Sequence, residues 1–306
     1  MRTAFCFPGQ GSQAVGMGTA FADASPAAAA VFAEASEAFG DDLLAICRTG
    51  PQEVLDRTEI TQPALTTASC ACLAAVREAG IEGDVAIGHS AGEYAALVAA
   101  GILGVGDAVR LTRARGEATA AAAARTPGAM AAIIGLDDVA VEELCEGIEG
   151  VWVANYNCPG QVVVSGETAA VEQLNAAATE AGARRALTLP VSGAFHSPLT
   201  AAAADDLRPA LEAADFRTPT SAFFSTVTCR LEDGTGIAGI LEDQLGAPVR
   251  FTQAIQALAA DGVTTCIEVG PGNVLAGLIR RIDRDLTALA IGDPESLAKA
   301  QEVLHG

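Results

Sequence analysis

The chain has 306 residues, half of them apolar, and a formal charge of −20 from 38 acidic against 18 basic side chains. That length buries a large core in one big or two unequal domains, and the acidity excludes nonspecific nucleic-acid binding or attachment to an anionic membrane surface. Apolar stretches are interrupted by Gly, Asp or Arg before about 18 residues, and Met1 to Pro8 lacks a cleavable signal pattern, so a soluble cytoplasmic protein is expected.

In chain order, a strand over Thr3 to Phe7 ends at Pro8-Gly9-Gln10-Gly11-Ser12-Gln13, a loop whose backbone N–H groups offer an anion cradle. Helical periodicity covers Phe21 to Phe39, Leu43 to Cys47, Gln52 to Asp56 and Pro63 to Ala79. Next, the apolar run Val85-Ala86-Ile87 leads into Gly88-His89-Ser90-Ala91-Gly92 and a helix over Glu93 to Ala100. Strand, Gly-x-Ser-x-Gly turn and helix in that order form a nucleophile elbow, which exposes Ser90 where the helix N-terminus favours developing negative charge. The bland alternative is an ordinary strand-to-helix turn. A further helix over Asp107 to Ala124 relates Leu111, Ala114, Arg115 and Ala118 by steps of three and four, so Arg115 is predicted to point inward.

After Thr126-Pro127-Gly128 the pattern becomes strand Ala129 to Leu136, helix Val139 to Glu146, strand Val151 to Asn155, strand Gln161 to Ser165, helix Ala169 to Ala181 and strand Arg185 to Pro190. This β-α-β-β-α-β order is ferredoxin-like. The expected fold is therefore α/β. A large α/β-hydrolase-like domain (1–126 and 192–306) carries a parallel sheet and the elbow, and a ferredoxin-like small domain (127–191) is inserted in it. The large domain resumes with helix Leu199 to Glu212, strand Ser221 to Ser225, helices Ile237 to Leu245 and Phe251 to Ala260, strand Thr265 to Glu268 and helix Asn273 to Arg281. Eight scattered cysteines without a Cys-x-x-Cys pair read as reduced, buried residues, and no metal site is evident. Cys70 and Cys72, two apart on a helix, point away from each other.

A serine near its ordinary pKa needs a base, and histidine suits that task. Of the three histidines, His305 is expected to fray at the C-terminus and His89 to diverge from Ser90. His196 remains, in Gly193-Ala194-Phe195-His196-Ser197-Pro198 at the domain junction, where a cleft forms. Asp137, Asp138 and Glu167 fall in the small domain at solvent-facing turns, so a Ser-His dyad oriented by a backbone carbonyl or an amide is expected. Oxyanion donors are the N–H of Ala91 and one from the Pro8 to Gln13 loop. Basic groups occur at Arg110, Arg113, Arg115 and Arg125, at Arg184-Arg185, and at Arg280, Arg281 and Arg284; each is a binding patch or a solvated face.

These segments, together with Thr61-Gln62-Pro63-Ala64-Leu65, Arg115-Gly116, Gly128 to Leu136, Asn155 to Gln161 and Glu268-Val269-Gly270-Pro271-Gly272, resemble the malonyl-CoA:acyl carrier protein transacylases of bacterial fatty acid synthesis and the related acyltransferase domains of polyketide synthases. The resemblance spans essentially the whole chain. It implies malonylation of Ser90 with His196 as base and acid, and an oxyanion hole at the N–H groups of Gln10 and Ala91. It also implies a Gln244 carbonyl that orients the histidine and an Arg115 that pairs with the malonyl carboxylate. His89, Phe195 and Gln62 join the substrate-binding set. The implied partners are malonyl-CoA and an acyl carrier protein, with no cofactor, and the protein is expected to be a monomer. Docking of an acidic carrier is assigned to Arg185, Arg280, Arg281 and Arg284. Thr119-Ala120 replaces a common Met-Gln, which makes the acyl pocket roomier or more polar. Asn157-Cys158 replaces the usual Asn-Ser and leaves that loop plausible, and Phe195 suits malonyl. The competing readings are a trans-acting polyketide acyltransferase, a Ser-His thioesterase or hydrolase, and a noncatalytic carrier-docking module.

Overall fold

Side chains of the first strand, β1 (Arg2–Phe7), alternate between two cores, with Phe5 and Phe7 in one and Ala4 and Cys6 in the other. A strand buried on both faces belongs at the centre of a sheet covered by helices on either side. The computed structural model of the chain describes residues 2–191 and 193–305. The expected domain limits at Met1, Ser192 and Gly306 lie outside the described residues, as does the side chain of His305.

Helices α1 (Thr19–Ala24), α2 (Pro26–Phe39), α3 (Leu43–Thr49), α4 (Gln52–Leu55) and α5 (Thr58–Glu78) follow β1, then β2 (Val85–Gly88), α6 (Gly92–Ala99) and α7 (Val105–Arg125). The middle of the chain gives β3 (Ala129–Ile134), α8 (Asp138–Glu146), β4 (Val151–Cys158), β5 (Gln161–Gly166), α9 (Thr168–Glu180) and β6 (Arg185–Thr188). The remainder comprises α10 (Pro198–Ala201), α11 (Ala203–Ala213), β7 (Ala222–Ser225), β8 (Arg230–Glu232), α12 (Ile237–Asp243), α13 (Phe251–Ala260), β9 (Val263–Val269), α14 (Val274–Ile282), β10 (Thr287–Ile291) and α15 (Pro294–His305).

The large sheet runs β10-β9-β1-β2-β7-β8, parallel except for the edge hairpin β7–β8. Phe7 pairs with Gly88, so the Pro8 loop and the elbow leave the sheet side by side at its C-terminal edge, where ligands bind in open α/β sheets. The small sheet runs β4-β5-β3-β6 with every neighbouring pair antiparallel, the ferredoxin-like order. One face packs on α8 and α9 through Ile133, Val162, Val164, Val171 and Leu174. Its other face presents Met130, Ala132, Ala154 and Val163 to Leu189, Val191 and Phe195.

Several elements differ from the sequence expectation for local reasons. The helix expected over Phe21 to Phe39 breaks at Ser25, whose hydroxyl caps α2 by accepting from the Ala28 N–H, with Pro26 at the first helical position. Helix α5 begins five residues before Pro63, its first turn clamped by α7, where a Cβ on Gly116 would lie 2.6 Å from Glu59 Cα. The expected helix from Leu199 divides into α10 and α11. Strand β4 continues past Asn155 to Cys158 through two register shifts. Its outer edge there pairs with Val249: the Tyr156 N–H donates to Val249 O and the Val249 N–H to Ala154 O. Strands β8 and β10 and helix α15 were not expected, and α15 carries the backbone of His305 in helix rather than frayed.

Candidate active site

The elbow depends on close backbone approach. A Cβ on Gly88 would lie 2.1 Å from the Glu93 nitrogen, and one on Gly92 would lie 2.2 Å from the Phe7 oxygen, so neither position accepts a side chain. Ser90 itself has φ +52° and His196 φ +56°, a conformation that costs a non-glycine residue about 1–3 kcal/mol and clusters at functional sites. The two residues meet with Ser90 Oγ 2.7 Å from His196 Nε2. His196 Nδ1 lies 3.0 Å from Gln244 O and 3.1 Å from Ala247 O. Both are carbonyl acceptors, so Nδ1 carries the proton and the Nε2 lone pair faces the serine hydroxyl. Burial, Arg115 and His89 push the His196 pKa down to about 3, which keeps the ring neutral at physiological pH.

Arg115 reaches the same hydroxyl, with Nη2 3.2 Å from Ser90 Oγ. Its Nη1 donates to Gln62 Oε1 at 2.7 Å and its Nη2 to Gln244 Oε1 at 3.0 Å. The side chain is 5% exposed, and among the described residues Nε has no hydrogen-bond partner and no carboxylate lies within salt-bridge distance. Burial lowers its pKa, although a guanidinium stays charged. A desolvated cation held only by amide oxygens and a hydroxyl is a receptor for an anion.

Ser90, His196, Arg115 and Gln62 line one cavity of about 350 Å³, together with Gln10, His89, Thr119, Met130, Asn155, Leu189, Val191 and Phe195. His89 Nε2 pairs with Asn157 Oδ1 at 2.9 Å and its ring meets Phe251 edge-on, which turns it away from Ser90. Gln10 directs its side-chain oxygen to the Thr58 hydroxyl, and Ala91 heads α6 beside Ser90. Ser90, His196, Arg115, Gln244, Gln62, His89, Phe195, Gln10 and Ala91 are thus brought together.

Arg185, Arg280, Arg281 and Arg284 do not line the cavity. Arg280 donates to Ala288 O, and Arg281 to Gln161 Oε1 in the β4–β5 hairpin. The first basic group dissolves: Arg110 pairs with Asp107, Arg113 with Glu117 and Arg125 with Asp206. Asp137 caps α8. Sequence reasoning missed Glu93, which is fully buried three residues after the serine. The only signal was a carboxylate in an otherwise apolar helix. Among the described residues no cluster of three or more metal-ligating side chains occurs, and no helix is long and apolar enough to cross a membrane.

The family description "Acyl transferase domain" matches residues 4–291. The chain is 46% identical over 305 residues to the malonyl CoA-acyl carrier protein transacylase of Escherichia coli (strain K12), covering 98% of this chain and 99% of that one. It is 44% identical to the protein of the same name in Bacillus subtilis (strain 168), covering 99% and 97%. The crystal structure of the acyl-carrier-protein-S-malonyltransferase from Bartonella henselae superposes with a TM-score of 0.95 at 41% identity over 100% of both chains. A type II PKS acyl-carrier protein in complex with its malonyl-transacylase matches with a TM-score of 0.94 at 41% identity, covering 99% and 100%.

Proposed function

The chain belongs to the acyl transferase domain family, and from that premise we propose that it moves a malonyl group from malonyl-CoA to the phosphopantetheine thiol of an acyl carrier protein, supplying extender units for fatty acid synthesis. The observation that carries this reading is the Ser90 hydroxyl standing 2.7 Å from the His196 ring and 3.2 Å from the Arg115 guanidinium. An acyl group esterified to that oxygen and ending in a carboxylate two carbons away has its charge at the arginine.

His196 Nε2 takes the Ser90 proton as Oγ attacks the thioester carbonyl. The N–H groups of Gln10 and Ala91 hold the oxyanion; one such donor contributes about 3 kcal/mol to transition-state stabilisation. Collapse breaks the C–S bond, and coenzyme A leaves with the proton from His196. The carrier thiol then attacks the malonyl ester by the same route in reverse, and Ser90 regains its proton. Acyl and proton transfers balance without electron transfer, so the reaction calls on no redox cofactor. Arg115 pairs with the malonyl carboxylate, and Gln62 and Gln244 hold its fork.

Most surface arginines are tied to carboxylates, but Arg184, Arg185, Arg281 and Arg284 are not among them. Arg184 packs on Gly135, whose N–H donates to Gly160 O in the hairpin that Arg281 also holds. With Arg280 nearby on α14, this belt is the docking surface for the acidic carrier. Reversing the charge at Arg185, Arg281 and Arg284 is expected to raise KM for the carrier about tenfold, falling with salt; unchanged carrier kinetics reject the assignment. Exposed large apolar residues, Val15, Val139, Leu187, Leu231, Val274 and Val303, are scattered, which suits a monomer. Eight free cysteines suit a reducing cytoplasm.

Intact-mass measurement after mixing with malonyl-, methylmalonyl- or acetyl-CoA tests the reading. A malonyl adduct on Ser90 that discharges to a carrier thiol is expected, and its absence, or hydrolysis without an acceptor, rejects it.

A further inference from the structure

Glu93 is fully buried in the first turn of the helix behind Ser90, and no step above uses it. Its Oε1 accepts from the Thr226 N–H at 2.6 Å, the Thr226 hydroxyl at 2.7 Å and the Ser225 hydroxyl at 3.3 Å. Its Oε2 accepts from Gln244 Nε2 at 2.5 Å. That same Nε2 also donates to the Ser90 carbonyl at 3.2 Å. At the other end of the amide, Gln244 Oε1 accepts from Arg115 Nη2, while the Gln244 backbone oxygen accepts a hydrogen bond from His196 Nδ1–H. One glutamine therefore touches a carboxylate, a guanidinium and the catalytic imidazole.

A glutamine amide has two orientations that differ by exchange of its oxygen and nitrogen. Between a carboxylate and a guanidinium only one is paired. Reversed, Oε1 would face the Glu93 carboxylate and the amide hydrogens would face Arg115. We propose that Glu93 is a positioning residue that locks the Gln244 amide with its oxygen toward Arg115, aims the guanidinium into the acyl pocket, and so sets the preference for acyl groups bearing a free carboxylate without touching them. The inference rests on the malonyl reading of the site. Among the described residues Arg115 has no carboxylate partner, and without Gln244 Oε1 its fork is held only by Gln62 and the Ser90 hydroxyl.

Glu93→Gln makes the lock ambiguous in a defined direction. The Thr226 N–H still requires an oxygen, so the new amide turns its NH2 toward Gln244 Nε2, and the clash is relieved by reversing Gln244 against Arg115. The test measures kcat and KM for malonyl-CoA and acetyl-CoA with wild type, E93Q, R115A and the double variant. The malonyl-to-acetyl ratio of kcat/KM is expected to fall about tenfold in E93Q, the worth of one hydrogen bond to a charged group, chiefly through malonyl-CoA KM. In the R115A background E93Q is expected to change that ratio less than about twofold, because coupled residues are non-additive. Equal losses for both substrates, or full additivity with R115A, overturn the proposal.

Should thermal melting show E93Q unfolded, Gln244→Met, which keeps the backbone carbonyl for His196 and removes the amide, carries the test. The same fall in the ratio is expected, and an unaltered ratio overturns the proposal. Failure of the malonyl reading is read separately, as a wild-type chain that forms no malonyl ester on Ser90.

Discussion

Across the cavity, the wall carried by the six-stranded sheet and its connections holds the half-buried Ser90 with the buried Arg115, Gln62 and His196, joined in one hydrogen-bond network that also takes in the buried Gln244. The wall facing it is mainly apolar, with Met130, Leu189 and Val191 beside a single amide, Asn155 of β4, backed by Ala132, Ala154 and Val163 of the small sheet, with Phe195 at the junction. A polar network in a low-dielectric site must be satisfied in full, and one unpaired member is costly, whereas an apolar wall tolerates exchanges that conserve volume. Reactivity and shape are thus stored in separate elements, and substitutions on the two walls should differ in kind as well as size.

The largest effect is expected on the polar wall. His196→Ala removes the base and should lower the rate of Ser90 acylation about 10²–10⁴-fold, measured by rapid-quench intact mass; a loss below tenfold would place the base elsewhere. Because the His196 pKa is pushed well below its ordinary 6.5, the ring is neutral above that value and across physiological pH. Acylation by malonyl-CoA should therefore stay flat from about pH 8 down past 6.5 and decline only as the ring protonates on further acidification. A half-maximal rate near pH 6.5 would show that the site is wetter than this geometry.

Next in size is Arg115→Ala. Losing the partner of a desolvated carboxylate costs about 2–5 kcal/mol, so malonyl-CoA kcat/KM should fall about 30-fold or more while acetyl-CoA falls far less; parallel losses would mean that the arginine only supports the fold. The arginine is also one cause of the depressed His196 pKa. Its removal takes away a like charge, so the acidic limb of the remaining acetyl reaction should move to higher pH, toward the ordinary histidine value.

Much of the polar wall was legible in sequence because its signals are local. Two glycines flank Ser90 between an apolar strand and a helix, Arg115 recurs with apolar neighbours at helical spacing, and His196 was the histidine left by elimination. Glu93 was not legible. An acidic residue in the first turn of a helix reads as a favourable dipole contact at the surface, and its partners Ser225, Thr226 and Gln244 lie more than a hundred residues away. Strand β8 spans three residues and takes its geometry from β7, so no period exists to find. The start of α5 was hidden because Pro63 reads as a first-turn residue, yet contact with Gly116 of α7 holds a full turn before it. The proposed docking belt was half legible, since sequence could group the arginines but not say which were already neutralised.

The smallest effect is expected on the apolar wall, and it separates the two kinds of control. Met130 on β3 is buried against Phe195 and Leu189 at the edge of the cavity. Met130→Ala opens space without removing a hydrogen bond, so stability should fall by about 2 kcal/mol, the low end for a buried methionine, and malonyl-CoA kcat/KM by less than about fivefold. The added room opens onto the same cavity that Ser90 lines. A methyl branch should fit there, and since one methyl group is worth at most about 1–3 kcal/mol of discrimination, the methylmalonyl-to-malonyl ratio should rise by up to about tenfold in a mixed-substrate intact-mass competition. Arg115→Ala in the same competition should leave that ratio near its wild-type value, because both substrates carry the carboxylate it pairs. A ratio that moved with the arginine and not with the methionine would mean that shape is read by the polar wall after all.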